Sequence, residues 1–310
     1  MRKISIASSC YNEEENLPEW YNRITNMFRQ LPQYDYEIII ADNCSTDHSR
    51  NILRNLAAQD KRLKVIFNSN NFGHIRSPYS AFLAGSGDAV ISMCSDLQDP
   101  PEFIPRLIQE WEHGVKVVCA VKSHSQENLF MAMVRHFYYW LLSKMSEVPQ
   151  IRNFTGFGLY DRQAMDAIRQ FHDPYPYGRG IIAEVGFHRV EIPYIQEKRR
   201  HGHTKNNLFT LYDVAMTGFV NHTKIPLRLA AFTGFCLASI SLLVALGYLV
   251  YKLLYWKTFE LGMAPLVIGL FFFSAVQLIF IGIIGEYVGA IYTQVKNKPL
   301  VIEEERINFE

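Results

Sequence analysis

Two stretches near the C-terminus constrain this chain more than any other feature. Residues 229–251 contain no charged side chain, and neither do residues 265–285. Each meets the roughly 20 residues with which a helix crosses hydrocarbon. A buried globular helix would account for either alone, but few soluble domains of this size could enclose both. The pair is therefore expected to be two transmembrane helices joined by a short turn at 252–264. Lys205, Lys224 and Arg228 precede the first span and Lys296, Lys298 and Arg306 follow the second, against only Lys252 and Lys257 in the turn. By the cytoplasmic bias of basic residues, both termini are expected on the cytoplasmic side of an inner, cytoplasmic membrane. Gly282, Gly285 and Gly289 share one helical side, which suits close helix packing and a homo-oligomeric contact. Residues 208–223 carry Leu208, Leu211, Tyr212, Ala215 and Phe219 at helical spacing, the pattern of an amphipathic helix lying in the interfacial plane.

The region before these spans reads differently. Short apolar or β-branched runs at 4–7, 37–41, 63–67, 89–93 and 115–121 alternate with helical patterns at about 16–30, 47–59, 77–85 and 102–113. Strands separated by crossover helices imply an α/β domain with a mostly parallel sheet covered on both faces. Ser45-Thr46-Asp47 is a natural N-cap group for the second helix, and Pro100-Pro101-Glu102 opens the fourth. The expected organisation is the α/β domain at 1–195, a basic loop and juxtamembrane amphipathic helix at 196–227, two transmembrane helices at 228–292, and a cytoplasmic tail at 293–310. A net charge of +1 gives no global argument for nucleic acid. The basic residues nevertheless crowd at Lys198, Arg199, Arg200, His201, His203 and Lys205, which favours an anionic partner held near the membrane. Five widely spaced cysteines without a CxxC pair read as reduced thiols.

Chemistry concentrates in three strand-end loops. They are Ser8-Ser9-Cys10-Tyr11-Asn12-Glu13-Glu14-Glu15-Asn16, Ala41-Asp42-Asn43-Cys44-Ser45-Thr46-Asp47 and Cys94-Ser95-Asp96-Leu97-Gln98-Asp99-Pro100-Pro101-Glu102. In open α/β sheets ligands bind beyond the carboxyl ends of the strands, so all three should face one crevice. An acid at the end of a buried strand followed two residues later by an amide oxygen, Asp96 and Gln98, suits a hard divalent cation bridging a ligand's phosphates. No GxGxxG opens the first helix and no P-loop is present, which disfavours a nicotinamide cofactor or a P-loop nucleotide.

Those motifs, with Asn71-Phe72-Gly73, Arg199-Arg200-His201-Gly202-His203-Thr204-Lys205 and Gly285-Glu286-Tyr287-Val288-Gly289, resemble family 2 glycosyltransferases of the GT-A fold. Within that family the chain is most similar to the polyprenyl-phosphate glycosyltransferases, along nearly its whole length. The resemblance implies a nucleotide-sugar donor, expected as UDP-linked, and an undecaprenyl phosphate acceptor. It implies that Tyr11, Asn12, Glu13, Asp42, Asn43, Asn71 and Ser95 line the nucleotide site and that Asp96 and Gln98 ligate Mg or Mn. Arg199 and Lys205 match cations near the donor diphosphate or lipid phosphate, and with Asp96 complete the expected catalytic set. A tetramer is suggested by the same resemblance. Three departures stand out: Cys94 where relatives carry a second acid, Asn43 in the usual Asp-Asp-Gly loop, and Gly156 where many relatives carry an Asp. Asp161 matches a downstream Asp, expected as a helix cap. A lipid phosphate is already ionised, so transfer needs no side-chain base, and single displacement inverts the anomeric centre. A processive polysaccharide synthase is disfavoured because the chain lacks Gln-x-x-Arg-Trp and further spans; a catalytically silent nucleotide-sugar-binding protein is the other alternative.

Overall fold

The computed structural model describes residues 1–123, 133, 144, 151, 153–197, 216, 220, 223–255 and 263–309. Its strands are β1 (Arg2–Cys10), β2 (Tyr34–Asp42), β3 (Leu63–Asn68), β4 (Ala89–Ser92), β5 (Val117–Lys122), β6 (Phe154–Asp161), β7 (Arg189–Tyr194) and β8 (Glu303–Ile307). They form one sheet in the order β7-β5-β6-β4-β1-β2-β3-β8. The β1/β2, β1/β4, β2/β3 and β5/β7 pairs are parallel, whereas β6 runs antiparallel to β4 and β5, and β8 antiparallel to β3. The sheet is thus mixed, parallel where the first four strands carry the site loops. Chain order runs outward from β1 to β3, then reverses to β4 on the other side of β1. That reversal makes a switch point between β1 and β4, where adjacent loops diverge and leave a crevice.

Alternating side chains explain the two-sided burial. Ile4, Ile6, Ile38, Ile40 and Val65 pack on one face against α1 (Leu17–Arg29) and α4 (Ile104–Glu112), through Trp20, Ile24, Leu107 and Trp111. The opposite face packs on α3 (Gly73–Leu83), α5 (Arg162–Ile168) and α6 (Gly178–Glu184), through Tyr79, Phe82, Met165 and Ile181. Pro18 near the start of α1 is preset for a helical φ, and Trp20, Ile24, Met27 and Phe28 form its buried stripe. The helix α2 (Ser49–Gln59) begins later than the sequence pattern suggests: His48 holds the N-cap position, while Asp47 accepts the Ser49 amide at 3.0 Å. Pro100-Pro101-Glu102 leads into a short 3₁₀ turn, Pro101–Phe103, before α4.

The two apolar helices, α7 (Ile225–Leu254) and α8 (Met263–Lys296), are longer than the uncharged stretches alone. At about 1.5 Å rise per residue each exceeds the roughly 30 Å of a hydrocarbon core. Both are long and apolar enough to cross a membrane, and almost none of their side chains is covered by protein. Leu243 is 68% exposed and Phe271 69%, a cost in water that an apolar solvent removes. The end of α8 touches the α/β domain, where Gln294 Nε2 donates to Asp173 Oδ1 at 2.8 Å, and the Tyr287 hydroxyl ties α8 to the start of α7 through the Thr223 carbonyl at 2.7 Å. The stretch expected as an interfacial helix, 208–223, lies almost wholly outside the described residues. The segment 293–310 is not a simple tail, because β8 joins the edge of the sheet beside β3.

Candidate functional site

The three loops meet as the strand order requires. Asn12, in a left-handed conformation at φ 56°, turns the chain out of β1. Its amide donates to Ser45 Oγ at 3.0 Å, and its side-chain oxygen accepts the Thr46 amide at 2.8 Å. The Glu13 amide donates to Ser49 Oγ, and Asn16 Nδ2 to Glu13 Oε2, so the β1 and β2 loops are stitched along their length. Tyr11 is half-buried beside them. Asn43 works in the opposite direction: its Nδ2 donates to Asn71 Oδ1 at 2.8 Å, and its oxygen accepts the Phe72 amide at 2.8 Å. An aspartate could not make that donation, so the amide at this position is used by the loop packing. Asn71 itself is exposed at the β3 loop.

Asp42 differs from the rest. It is fully buried, and its carboxylate accepts the Ser45 amide at 3.2 Å and the Cys10 thiol at 3.7 Å while pairing with Arg50 Nε at 3.1 Å. In this arrangement Asp42 shapes the loop from beneath. Burial, with the Asp42 carboxylate next to it, pushes the Cys10 thiol well up, so it is a neutral donor.

The β4 loop is clamped from several sides. The Cys94 carbonyl accepts Trp20 Nε1–H at 3.0 Å, Ser95 Oγ donates to the Ser9 carbonyl at 2.9 Å, and Asp96 Oδ1 accepts the Gln98 amide at 3.2 Å. Leu97 is left-handed at φ 61° and completely buried, so core packing holds a backbone conformation that costs a non-glycine residue on the order of 1–3 kcal/mol. Asp99 accepts the Cys94 amide at 3.1 Å and the Tyr194 hydroxyl at 2.7 Å. Burial raises the Asp99 carboxyl above its ordinary range, against the lowering effect of those two donors. Cys94 is exposed at the loop surface.

Sequence reasoning missed the braces behind this loop. Arg23 on α1 bonds Glu102 at 2.9 and 2.6 Å and reaches Glu197 at 3.2 Å. The Glu197 amide donates to the Gln98 carbonyl at 3.1 Å. Glu197 is two residues before Arg199, so the basic segment leaves the described structure beside the Asp96 loop. Arg199 and Lys205 lie outside the described residues. Asp161 caps α5, accepting the Gln163 amide at 3.0 Å, Trp111 Nε1–H at 2.7 Å and Lys116 at 3.2 Å, a structural post for a carboxylate. Gly156 has φ 103° and open space where a Cβ would stand.

As a metal set, Asp96 and Gln98 are hard oxygen donors of the kind Mg²⁺ and Mn²⁺ accept. Among the described residues no cluster of three or more His, Cys, Asp or Glu could hold an ion. These two donors therefore fit an ion shared with a phosphate ligand better than one caged by protein. At the end of β4, a largely apolar cavity of about 310 Å³ is lined by Tyr79, Ser92, Thr155, Gly156, Tyr177 and Arg179 among others.

The family model described as "Glycosyl transferase family 2" matches residues 5–171. An uncharacterized glycosyltransferase, YkcC of Bacillus subtilis (strain 168), is 32% identical over 99% of this chain and 95% of its own length. The SfII prophage-derived bactoprenol glucosyl transferase of Shigella flexneri is 32% identical, with 97% of each chain covered. Among solved structures, the mannosyltransferase PcManGT from Pyrobaculum calidifontis, in complex with GDP-Man and Mn²⁺, superposes with a TM-score of 0.49 at 16% identity, covering 96% of this chain and 86% of that one.

Proposed function

The chain belongs to glycosyltransferase family 2, and from that premise we propose that it transfers a sugar from a nucleotide-sugar, UDP-linked, to undecaprenyl phosphate at the cytoplasmic membrane face. The observation that carries this reading is the bond from the Glu197 amide to the Gln98 carbonyl. It ties the start of a cation-rich segment to a loop of hard oxygen donors, and that same segment leads into the two apolar helices. A polar site for a diphosphate, cations for a second phosphate and a route to a bilayer are thereby joined in one stretch of chain. The relatives named as bactoprenol glucosyl transferases support the same acceptor class.

Asp96 and Gln98 would hold the divalent cation, Mg²⁺ or Mn²⁺, which when bound offsets charge on the departing nucleoside diphosphate. Tyr11, Asn12, Glu13 and Asn71 would frame the nucleoside, with Asn43, Asp42 and Ser95 setting their loops. Arg199 and Lys205 would orient the lipid phosphate, whose ionised oxygen attacks the anomeric carbon without a side-chain base and inverts it. Gly156 fits that economy, since neither it nor the structural Asp161 offers a base. The cavity that Thr155, Gly156 and Arg179 help to line would receive the acceptor head. A larger one, about 570 Å³, is lined by Gly282, Gly285 and Gly289 of α8 together with Asp173 and Tyr175, and would face an acceptor arriving along that helix. Because β8 returns to the sheet that begins at the N-terminus, two spans between them favour both termini on one side of the membrane.

The test is direct. Purified full-length protein is incubated with undecaprenyl phosphate, Mg²⁺ or Mn²⁺ and a panel of nucleotide-sugars, and the lipid is read by mass and anomeric configuration. An inverted lipid-phosphate sugar is expected. Nucleotide-sugar binding without lipid product would refute the transferase reading in favour of a silent binder, and a retained configuration would refute single displacement.

A further inference from the structure

The C-terminal strand reaches the donor side of the molecule by a continuous set of charges. Glu304 on β8 accepts from Arg50 Nη2 at 2.6 Å, and Arg50 Nε lies 3.1 Å from Asp42 Oδ2. Asp42 Oδ2 in turn accepts the Ser45 amide, and Ser45 Oγ accepts the amide of Asn12. The guanidinium also lies over the Phe67 ring, 4.9 Å from its centroid, and donates to the Asn68 carbonyl at 3.4 Å. Asp42 has no exposed surface, so its negative charge needs a fixed cation, and among the described residues Arg50 is the cation in contact with it. Arg50 is itself partly exposed and is steadied on its outer side by Glu304.

We infer that Arg50 is a positioning residue for the nucleoside-binding loops and that Glu304 sets it, which makes the C-terminal strand a working part of the donor site. The inference rests on the proposed role of the Asn12 and Ser45 loops in holding the nucleoside. Its logic is geometric. Losing Glu304 frees the outer edge of the guanidinium and loosens Arg50 against Asp42, whereas losing Arg50 leaves the Asp42 carboxylate, and with it the acceptor of the Ser45 amide, without its fixed cation. The nucleotide pays for reordering two loops, while the lipid phosphate does not.

The fold supplies a matched control. Arg54, one turn further along α2, bonds Glu305 of the same strand at 2.8 and 2.5 Å and stacks on the same Phe67 ring at 4.5 Å. None of its polar contacts is to Asp42. Arg54→Ala therefore removes an equivalent strand-to-helix tie and leaves the Asp42 relay intact.

The experiment uses the full chain in detergent without lipid, with UDP and GDP titrated calorimetrically and each variant melted in parallel. For the nucleotide that wild type binds, Arg50→Ala should raise Kd roughly 10-fold and Glu304→Gln about threefold, with Arg50→Lys between them. The Arg50→Ala/Glu304→Gln double variant should be no weaker than Arg50→Ala, because the two act in series. Arg54→Ala should lower the melting temperature while leaving Kd unchanged. In transfer assays the Arg50 and Glu304 variants should raise donor KM and leave acceptor KM alone. Equal effects of Arg54→Ala and Arg50→Ala on Kd, or wild-type Kd in Arg50→Ala and Glu304→Gln, would overturn the inference while transfer itself persists. Failure of wild type to bind either nucleotide would instead remove the donor-site reading, and this inference with it.

Discussion

Glu37→Gln should destabilise the protein by about 2–3 kcal/mol at neutral pH and leave the donor site untouched. Glu37 is 1% exposed in β2. Its Oε2 lies 2.6 Å from Lys3 Nζ and 2.8 Å from Lys64 Nζ, while Oε1 accepts Ser5 Oγ at 2.6 Å, the Ser86 amide at 2.8 Å and Ser86 Oγ at 2.7 Å. One carboxylate thus ties β1, β2, β3 and the turn entering β4, at the end of the strands opposite the crevice. Burial alone would raise its pKa, but the two lysines and the serine and amide donors bring it down to about 2 from an ordinary 4.5. That difference corresponds to roughly 3 kcal/mol at 1.36 kcal/mol per unit. Glutamine keeps an acceptor for the serines but turns an amide toward two ammonium groups, which are part-exposed and recover some hydration. The loss is therefore set slightly below the full value, or roughly 5–10 °C in melting temperature. Because the folded pKa lies below the unfolded one, the contribution is complete above about pH 4.5 and is lost as pH falls toward 2. Melts of wild type and variant in detergent from pH 7 to pH 3 should show the gap between them closing below pH 4.5. A gap that stays constant with pH, or none at pH 7, would show that the buried carboxylate is not the source of stability. Donor KM measured below the variant's melting point should match wild type.

Asp96→Asn should reduce transfer by on the order of 100-fold or more, since a metal's share of transition-state stabilisation is several kcal/mol; wild-type turnover at limiting Mg²⁺ or Mn²⁺ would count against the ligand assignment, and Cys94→Ala should cost far less. Arg199→Ala and Lys205→Ala should each cost about 1.5–3 kcal/mol in transition-state binding through lost phosphate contacts, and unchanged kcat/KM for both donor and lipid would remove the clamp. Asp161→Asn should keep most of its turnover, because asparagine also caps helices and the residue makes structural contacts; a large fall in single-turnover rate with folding intact would restore a carboxylate base. Gly158→Ala should destabilise by about 1–3 kcal/mol, because its Cβ would stand 2.5 Å from the Val118 carbonyl in the paired strand, and a melting temperature equal to wild type would show the sheet yields there.

Much of the domain was legible because parallel strands buried on both faces leave dense apolar runs, and residues 4–7, 63–67 and 89–93 mark three strands within a residue or a few of their ends. The elements that escaped share a different physics. The segment Glu303-Glu304-Glu305-Arg306-Ile307 has no apolar run, yet it forms β8, because edge strands tolerate charge and these glutamates are matched by Arg50 and Arg54 on a helix some 250 positions away in sequence. Local propensity cannot register a partner that distant. The strand β7 was missed likewise, and with it Tyr194, whose hydroxyl bonds the Asp99 that holds Cys94.

The site divides along the same line. The motifs marked Asp96, Gln98, Asn12 and Asn71 as loop residues, and the fold brings their loops to one crevice. They did not distinguish residues that face a ligand from those that set the loops, because Asp42 and Asn43 have the same polar character as their neighbours. Burial and hydrogen bonding make the distinction: Asp42 is spent on Arg50 and Ser45, and Asn43 on the Asn71 loop. The Cys94 departure then acquires a consequence. With Cys94 in place of an acid, Asp96 and Gln98 would offer one carboxylate and one amide oxygen, and the remaining ligands of a divalent ion would have to come from water and phosphate. Metal affinity should therefore depend on the bound nucleotide, and nucleotide affinity on the metal by the same factor, as linkage requires. In this arrangement the ion would arrive with its donor rather than wait in the protein.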